Sequence, residues 1–324
     1  MTRPLVLSLN PALDVEWRVD GFRAEEKNCI LTETWWAGGK GVNFARWFNH
    51  LGGKRNKSCN NCYKNWSTGL LLLPLGGRTG DELAGCLRAE KPPAHILRLH
   101  EPTRANVVLT APDGRQMRFN HAGPKLSRRE AGRILQVVRQ NLTRCDLLIL
   151  SGSLPRGIPA TAYAGLIRLA HRHGVKTLLD CDGAAFAAAV KAHPFLVKPN
   201  EQELAQWRGR VLRTEAAVAH AARELSEATR GWVLVSRGAN AGLLVNAAKK
   251  VRLRALPPRV ASRNRLGAGD AFLAGAAYQI GVGAPPEAWL RHALASGAAA
   301  TQCVPGTLPK PALLTKLLRK VRAS

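Results

Sequence analysis

Residues 145–180 read CDLLILSGSLPRGIPATAYAGLIRLAHRHGVKTLLD. The aliphatic runs at 146–150 and 177–179 have the length and composition of buried strands. Between them, in 159–173, Ala162, Leu166, Leu169 and Ala170 recur at helical spacing, with Arg168, Arg172 and His173 interspersed. The same alternation continues to residue 245, with strands at 195–197, 232–235 and 242–245 and helices at 184–192 and 214–229. Upstream, 5–9 and 70–75 read as further strands and 127–143 as a helix; downstream, 271–280 reads as a helix. This rhythm predicts an α/β fold with a doubly wound, mainly parallel sheet and helices on both faces. In such sheets ligands collect at the carboxyl ends of the strands.

Two segments break the rhythm. Residues 13–36 alternate apolar and polar without a helical period, through Val15, Trp17 and Val19 and then 29–36. Residues 104–120 read as two strands, 105–110 and 116–120, joined by Pro112-Asp113-Gly114, whose turn chemistry makes a hairpin. Together they predict a small β lid over the ligand edge of the main sheet. A third stretch, 54–67, holds four Asn and three Lys in a chain that otherwise prefers Arg, Ala, Gly and Leu. It reads as an inserted surface loop. Its Cys59-x-x-Cys62 has no second Cys or His pair at ligand spacing, so it is a weak zinc signal.

The 324 residues carry 48 Lys+Arg against 22 Asp+Glu, a formal net charge of +26. With 46% hydrophobic residues this is a globular composition; its length suits one large α/β domain or two smaller ones, and the expected organisation is a single unit spanning 1–324. Seven cysteines, an odd number and scattered, predict reduced thiols and a cytoplasmic setting. The run at 5–9 is cut by Asn10, Pro11 and Asp14, and the longest aliphatic run, 70–73, is followed by Pro74. Neither has the length of a signal core or a membrane span. The basic residues are mostly single arginines on apparent helices, as on solvated faces that attract small anions.

Four motifs carry chemistry. In Arg265-Leu266-Gly267-Ala268-Gly269-Asp270, small residues open the 271–280 helix, leaving unpaired amides and a positive dipole end for an anion. Asp270 beside that anion hole suits phosphoryl transfer to an alcohol, although Asp is also an ordinary helix-start residue. Ala37-Gly38-Gly39-Lys40-Gly41-Val42-Asn43 precedes a helix at 42–50, but its spacing is neither a P-loop nor the dinucleotide GxGxxG. Lys198-Pro199-Asn200-Glu201-Gln202-Glu203 contains a capping-box pattern. Ser236-Arg237-Gly238 opens a Gly-rich turn between two strands.

Taken in order, these motifs resemble the PfkB, or ribokinase-like, family of sugar kinases. So do Leu7-Ser8-Leu9-Asn10-Pro11-Ala12-Leu13-Asp14, Arg104-Ala105-Asn106-Val107 and Ser151-Gly152-Ser153-Leu154-Pro155. The opening is similar to the 1-phosphofructokinase and tagatose-6-phosphate kinase branch. The resemblance implies a doubly wound domain with a β lid, a homodimer formed through that lid, and use of ATP and Mg²⁺. It implies that Asp270 is the catalytic base and that Gly267, Ala268 and Gly269 form the anion hole. Asn10 and Asp14 bind sugar hydroxyls, and Gly38, Gly39 and Asn43 hold the sugar. Lys40, Arg104 and Ser153 take the phosphate already on the sugar. Lys198 reaches the ATP phosphates, Asn200 and Glu203 organise Mg²⁺ through waters, and Ser236 and Gly238 lie along the nucleotide.

This chain departs from the family's pattern in three places. These are the 54–67 insertion, Asn264-Arg265-Leu266 where Thr-Val is usual, and Cys181-Asp182-Gly183 where the branch often has Thr-Ser-Gly. Two cations, Lys40 and Arg104, suit a phosphorylated acceptor better than a neutral sugar. The expected reaction is phosphorylation of fructose 1-phosphate to fructose 1,6-bisphosphate, with tagatose 6-phosphate as the nearest alternative acceptor. Two other classes compete. A basic nucleic-acid-binding protein on a retired kinase fold explains the charge but not the intact Gly267–Asp270 motif. A Rossmann dehydrogenase lacks its GxGxxG after the first strand.

Overall fold

The computed structural model describes residues 3–52, 69–90 and 92–323. The insertion expected at 54–67, with Cys59 and Cys62, lies outside the described residues. In chain order the elements are β1 (Pro4–Leu7), β2 (Ala12–Val19), β3 (Ile30–Gly38), α1 (Lys40–Gly52), β4 (Leu70–Gly76), α2 (Gly77–Glu90), β5 (Ala94–Leu99), β6 (Arg104–Thr110), β7 (Gln116–Asn120) and α3 (Arg128–Leu142). There follow β8 (Leu147–Ser151), α4 (Ala162–Arg172), β9 (Lys176–Asp180), α5 (Gly183–Val190), β10 (Leu196–Val197), α6 (Glu201–Arg208), α7 (Glu215–Thr229), β11 (Trp232–Val235) and β12 (Gly242–Asn246). Last come β13 (Val251–Leu256), α8 (Ala268–Gly281), α9 (Pro286–Ala300), α10 (Pro311–Leu318) and β14 (Arg322–Ala323).

Ten strands form the main sheet in the order β14-β13-β12-β11-β10-β9-β8-β1-β4-β5. From β11 to β5 every neighbouring pair is parallel. Alternate residues of each strand enter opposite cores, because side chains on a strand alternate in direction. Val6, Leu71, Leu73, Ile149 and Leu178 pack with α1, α2, α8 and α9 on one face. Leu5, Leu7, Leu72, Leu148, Leu150 and Leu179 pack with α3, α4, α5 and α7 on the other. Both faces are therefore dry, which is why these strands are continuous aliphatic runs.

One expectation is corrected at the sheet edge. The strand at 242–245 is antiparallel to β11, not part of the parallel set. The connection from Val235 to Gly242 is a tight turn, and only an antiparallel partner is reachable without a crossover. β13 and β14 extend the edge antiparallel as well.

The small β lid is a separate four-stranded sheet of order β3-β2-β6-β7. Asp113-Gly114 closes the β6–β7 hairpin, with Gly114 at φ 83° in the left-handed region that a turn of this kind reserves for glycine. Among the described residues no helix is long and apolar enough to cross a membrane.

α8, the helix expected to carry the catalytic base, is held by α9. At their crossing a Cβ added to Gly275 would lie 2.5 Å from the His292 carbonyl oxygen and 2.7 Å from Ser296 Oγ. Gly275→Ala is therefore expected to destabilise the protein by about 1–3 kcal/mol through overpacking. Urea unfolding checks this; an unchanged midpoint would mean the two helices have slack.

Candidate active site

β1 lies between β8 and β4, so the chain winds in opposite directions on its two sides. The loops after β1 and β8 part at this switch point, opening the crevice where doubly wound sheets bind ligands. Asn10, after β1, donates from Nδ2 to Ser153 Oγ and to the Ala122 carbonyl, each at 3.1 Å. Asn10 Oδ1 is buried without a hydrogen-bond partner among the described residues. A Cβ on Gly123 would overlap that oxygen, and Gly123 has φ 95°. The crevice thus offers a bare acceptor, which a hydroxyl donor would satisfy.

The lid supplies Asp14. β2 pairs with β3 and β6 so that Asp14 lies opposite Trp36 and Asn106. Asn106 Nδ2 donates to Asp14 Oδ1 at 2.9 Å. A side chain at Gly38 would overlap the Asp14 carboxylate, so glycine there is a volume requirement. Burial pushes the Asp14 carboxyl up to about 6, against the Asn106 hydrogen bond and the Arg104 and Arg46 charges. Arg104, first residue of β6, donates to the His121 carbonyl at 3.1 Å and the Asn10 carbonyl at 2.9 Å. Its buried Nε has no partner among the described residues.

Across the crevice, Gly267 caps α8 with φ 72° and no side-chain cap bond. The first-turn amides of Ala268 and Gly269 are left to face whatever enters, at the positive end of the dipole. Asp270 is buried in that turn, 7% exposed. Asn43 Nδ2 donates to Asp270 Oδ2 at 2.9 Å. Burial raises the Asp270 carboxyl to about 6, helped by the nearby Asp180 charge and opposed by Asn43, Lys40 and Lys198. The Asn43 amide is itself oriented: Arg46 Nη1 donates to its Oδ1 at 2.8 Å. Arg46 is in turn clamped by Glu90, at 2.6 and 2.7 Å, and by the Ala37 carbonyl at 2.6 Å. One cavity touches Asp14, Asn43, Arg46 and Gly267, closed by Trp36 and residues 303–307.

The remaining predicted residues gather around Asp180, at the carboxyl end of β9. Lys40 Nζ approaches Asp180 Oδ1 at 3.1 Å and Glu203 Oε1 at 3.6 Å. Lys198 Nζ, after β10, lies 3.4 Å from Asp180 Oδ2. Burial alone would lower the Lys40 ammonium, but Asp180, Glu203 and Asp270 hold it above the ordinary lysine range. Asn200 and Glu203 form a complete capping box at the start of α6, with both bonds at 2.8 Å. Ser236 bridges to Asn200, and Gly238 stands in the following turn at φ 59°. Lys40 is thus grouped with Lys198 and Glu203, not with Arg104 on the lid.

The pfkB family carbohydrate kinase profile matches residues 12–313. The chain belongs to that family. It is 34% identical to a 1-phosphofructokinase of Rhodobacter capsulatus, over 98% of this chain and 96% of that one. It is 30% identical to the ATP-dependent 6-phosphofructokinase isozyme 2 of Escherichia coli K12, over 93% of each. The crystal structure of phosphofructokinase-2 from Escherichia coli in complex with fructose-6-phosphate superposes with a TM-score of 0.85 at 28% identity, covering 98% of this chain and 99% of that chain. As a pfkB kinase the protein is a phosphotransferase acting on an alcohol group, with ATP as the family's donor.

Three parts of this cluster were not singled out from sequence. Asp180 ends an apolar strand, KTLLD, and a buried acid at that position is its only signal. Asn106 sits inside a quoted motif without an assigned role. Arg46 follows Asn43 by three residues, one helical turn, while Glu90 comes from a distant helix.

Arg46 reads as a positioning residue. Arg46→Met alone strands Glu90 and is expected to cost up to about 3 kcal/mol. Adding Glu90→Gln removes the orphaned charge and should recover most of that stability. Turnover should stay roughly tenfold down in both variants, because the Asn43 amide has lost its orienting donor. Urea midpoints and kcat measured together decide this. If the double variant regains kcat along with stability, Arg46 is only a strut.

Proposed function

We propose that the chain is a cytoplasmic ATP- and Mg²⁺-dependent kinase that converts fructose 1-phosphate to fructose 1,6-bisphosphate. Asp270 carries this reading: a buried carboxylate in the open first turn of α8, oriented by Asn43 and with its proton affinity raised to about 6. A base tuned near the working pH takes the acceptor hydroxyl proton as that oxygen attacks the γ-phosphorus. The bond from the γ-phosphorus to the β-bridging oxygen breaks, and ADP leaves. The amides of Gly267, Ala268 and Gly269 stabilise charge on the migrating group. Asn10, Asp14, Gly38, Gly39 and Asn43 hold the sugar, and the bare Oδ1 of Asn10 supports a hydroxyl contact.

On the nucleotide side, Lys198 and Lys40 offer cations to the phosphates, and Ser236 and Gly238 lie along the nucleotide. Mg²⁺ supplies charge neutralisation on the phosphoryl oxygens when bound. The capping box already engages Asn200 Oδ1 and Glu203, and among the described residues no three His, Cys, Asp or Glu side chains converge as a cage. That donor set suits an ion held by phosphates, with Asn200 and Glu203 reached through its waters.

The acceptor's own phosphate falls to Arg104 and Ser153. Only two of the five Arg104 N–H donors are used by carbonyls. The name of the Rhodobacter capsulatus relative supports fructose 1-phosphate, and that of the Escherichia coli relative supports fructose 6-phosphate as a second reading. Tagatose 6-phosphate stays the third. The lid's flanking strands expose Ile30, Leu31 and Trp35 on β3 and Met117 and Phe119 on β7, which supports pairing with a second copy through the lid.

Asp270→Asn should lower turnover by roughly 10²–10⁴-fold while ATP binding persists. In the wild-type enzyme the base is lost as Asp270 takes a proton, so kcat/KM should rise with pH to about 6 and then level. A rate that stays flat a full unit below that value would remove Asp270 from the role.

Coupled ADP release over the three sugar phosphates should show fructose 1-phosphate as the preferred acceptor. With that acceptor, Arg104→Ala should raise its KM roughly 10- to 100-fold and leave the KM for ATP nearly unchanged. Equal small changes in both constants would reduce Arg104 to a tie between the lid and Asn10.

A further inference from the structure

The amino ends of β9, β10 and β11 border a second cavity of about 460 Å³, on the sheet edge opposite Asp180, Lys198 and Ser236. That volume is in the range of small-molecule sites. Its rim carries His171, Lys176, His193, Arg230 and Lys249, and among the described residues no carboxylate lines it. Among the described residues none of Lys176, Arg230 and Lys249 is held in an ion pair. Phe195 supplies an apolar wall, with Lys176 Nζ poised 5.1 Å from its ring centroid. Like charges gathered on one concave rim repel one another unless an anion sits among them.

The backbone adds an independent observation. Four non-glycine residues among those described have positive φ, and three stand at this edge: His193 at 58°, Arg230 at 53° and Lys250 at 55°. Arg230 is the C-cap of α7, a left-handed position where glycine is the unstrained choice. The chain makes that choice at the end of α6, with Gly209 at φ 72°. Here it retains strain and a cationic side chain instead, a pattern found where the side chain has work to do.

We propose that this cavity binds a small phosphorylated anion, at a site separate from the phosphotransfer centre. Phosphate oxygens would sit among Lys176, Arg230 and Lys249, with the body of the molecule against Phe195.

The test is calorimetric titration of the full chain with inorganic pyrophosphate, the nucleotide site being filled with a non-hydrolysable ATP analogue. One saturable, salt-sensitive site is expected. Arg230→Gly should weaken pyrophosphate about tenfold while the unfolding midpoint rises or holds, since glycine relieves the backbone. Lys176→Gln with Lys249→Gln should weaken it similarly, and kcat should be unchanged in all variants. The proposal is overturned by the absence of saturable heat in the wild-type protein, or by wild-type affinity in the variants. It is equally overturned if a short single-stranded oligonucleotide binds through these residues more tightly than pyrophosphate, since the face would then serve a macromolecule.

Discussion

Asp180 is the buried charge on which the site is hung. It is 1% exposed and lies between two lysines that come from α1 and from the turn after β10. Burying a carboxylate is costly, and only close cations offset it. Burial pushes its carboxyl up, but Lys198 and Lys40 outweigh that and hold it below the usual range. Its contribution to stability is thus present above the unfolded value of 3.8 and lost as pH falls through the lower folded value. The same negative charge helps raise Asp270. There the sign reverses: the folded state binds the proton more tightly than the unfolded chain. Stability falls as pH climbs from 3.8 to about 6 and the penalty persists above it. The favourable carboxylate therefore adds to the cost of the unfavourable one, and Lys40 and Lys198, which act on both, offset part of it.

Volume is the second constraint. The missing Cβ at Gly38 is occupied by the Asp14 carboxylate, and that at Gly123 by the Asn10 amide oxygen. Neither glycine is there for turn geometry alone. Each lets a polar side chain from another segment approach the backbone, so Asp14 and Asn10 are held by steric exclusion as much as by hydrogen bonds. Asn43 then joins the two halves. It stands on α1, follows the Gly38–Gly39 pair and reaches Asp270 on α8, while Arg46 one turn later holds its amide in register. A helix presents residues three apart on one face, which makes this relay possible.

What was legible in the sequence is what is local. The βαβ rhythm, the Asp113-Gly114 hairpin and the Asn200–Glu203 capping box each depend on residues within one element, and each stands in the structure. The Gly267–Asp270 turn was legible too, since its small residues precede an apolar helix directly. Pairings across the chain were not. Lys40 and Asp180 are 140 residues apart, and Arg46 and Glu90 44 apart. No period or motif encodes which cation meets which acid, so Lys40 was grouped with Arg104 by resemblance and by charge. The direction of β12 was misjudged for a related reason: a run of apolar residues specifies burial, while the length of its connection specifies orientation.

The net charge of +26 has to be weighed against this geometry. The two lysines of the site are matched by Asp180 and Glu203 at ion-pair distance, so they contribute little to a long-range field. The surplus therefore resides elsewhere, on helix surfaces and loop ends. A diffuse positive field raises the local concentration of anionic metabolites and speeds their encounter, with an effect that salt screens. It does not discriminate among them. Discrimination requires short-range contacts, and the crevice offers buried polar groups for them at Asn10, Asp14 and Arg104. Steering is thus a property of the surface composition, whereas selection among anions needs the short-range contacts that only buried polar groups provide.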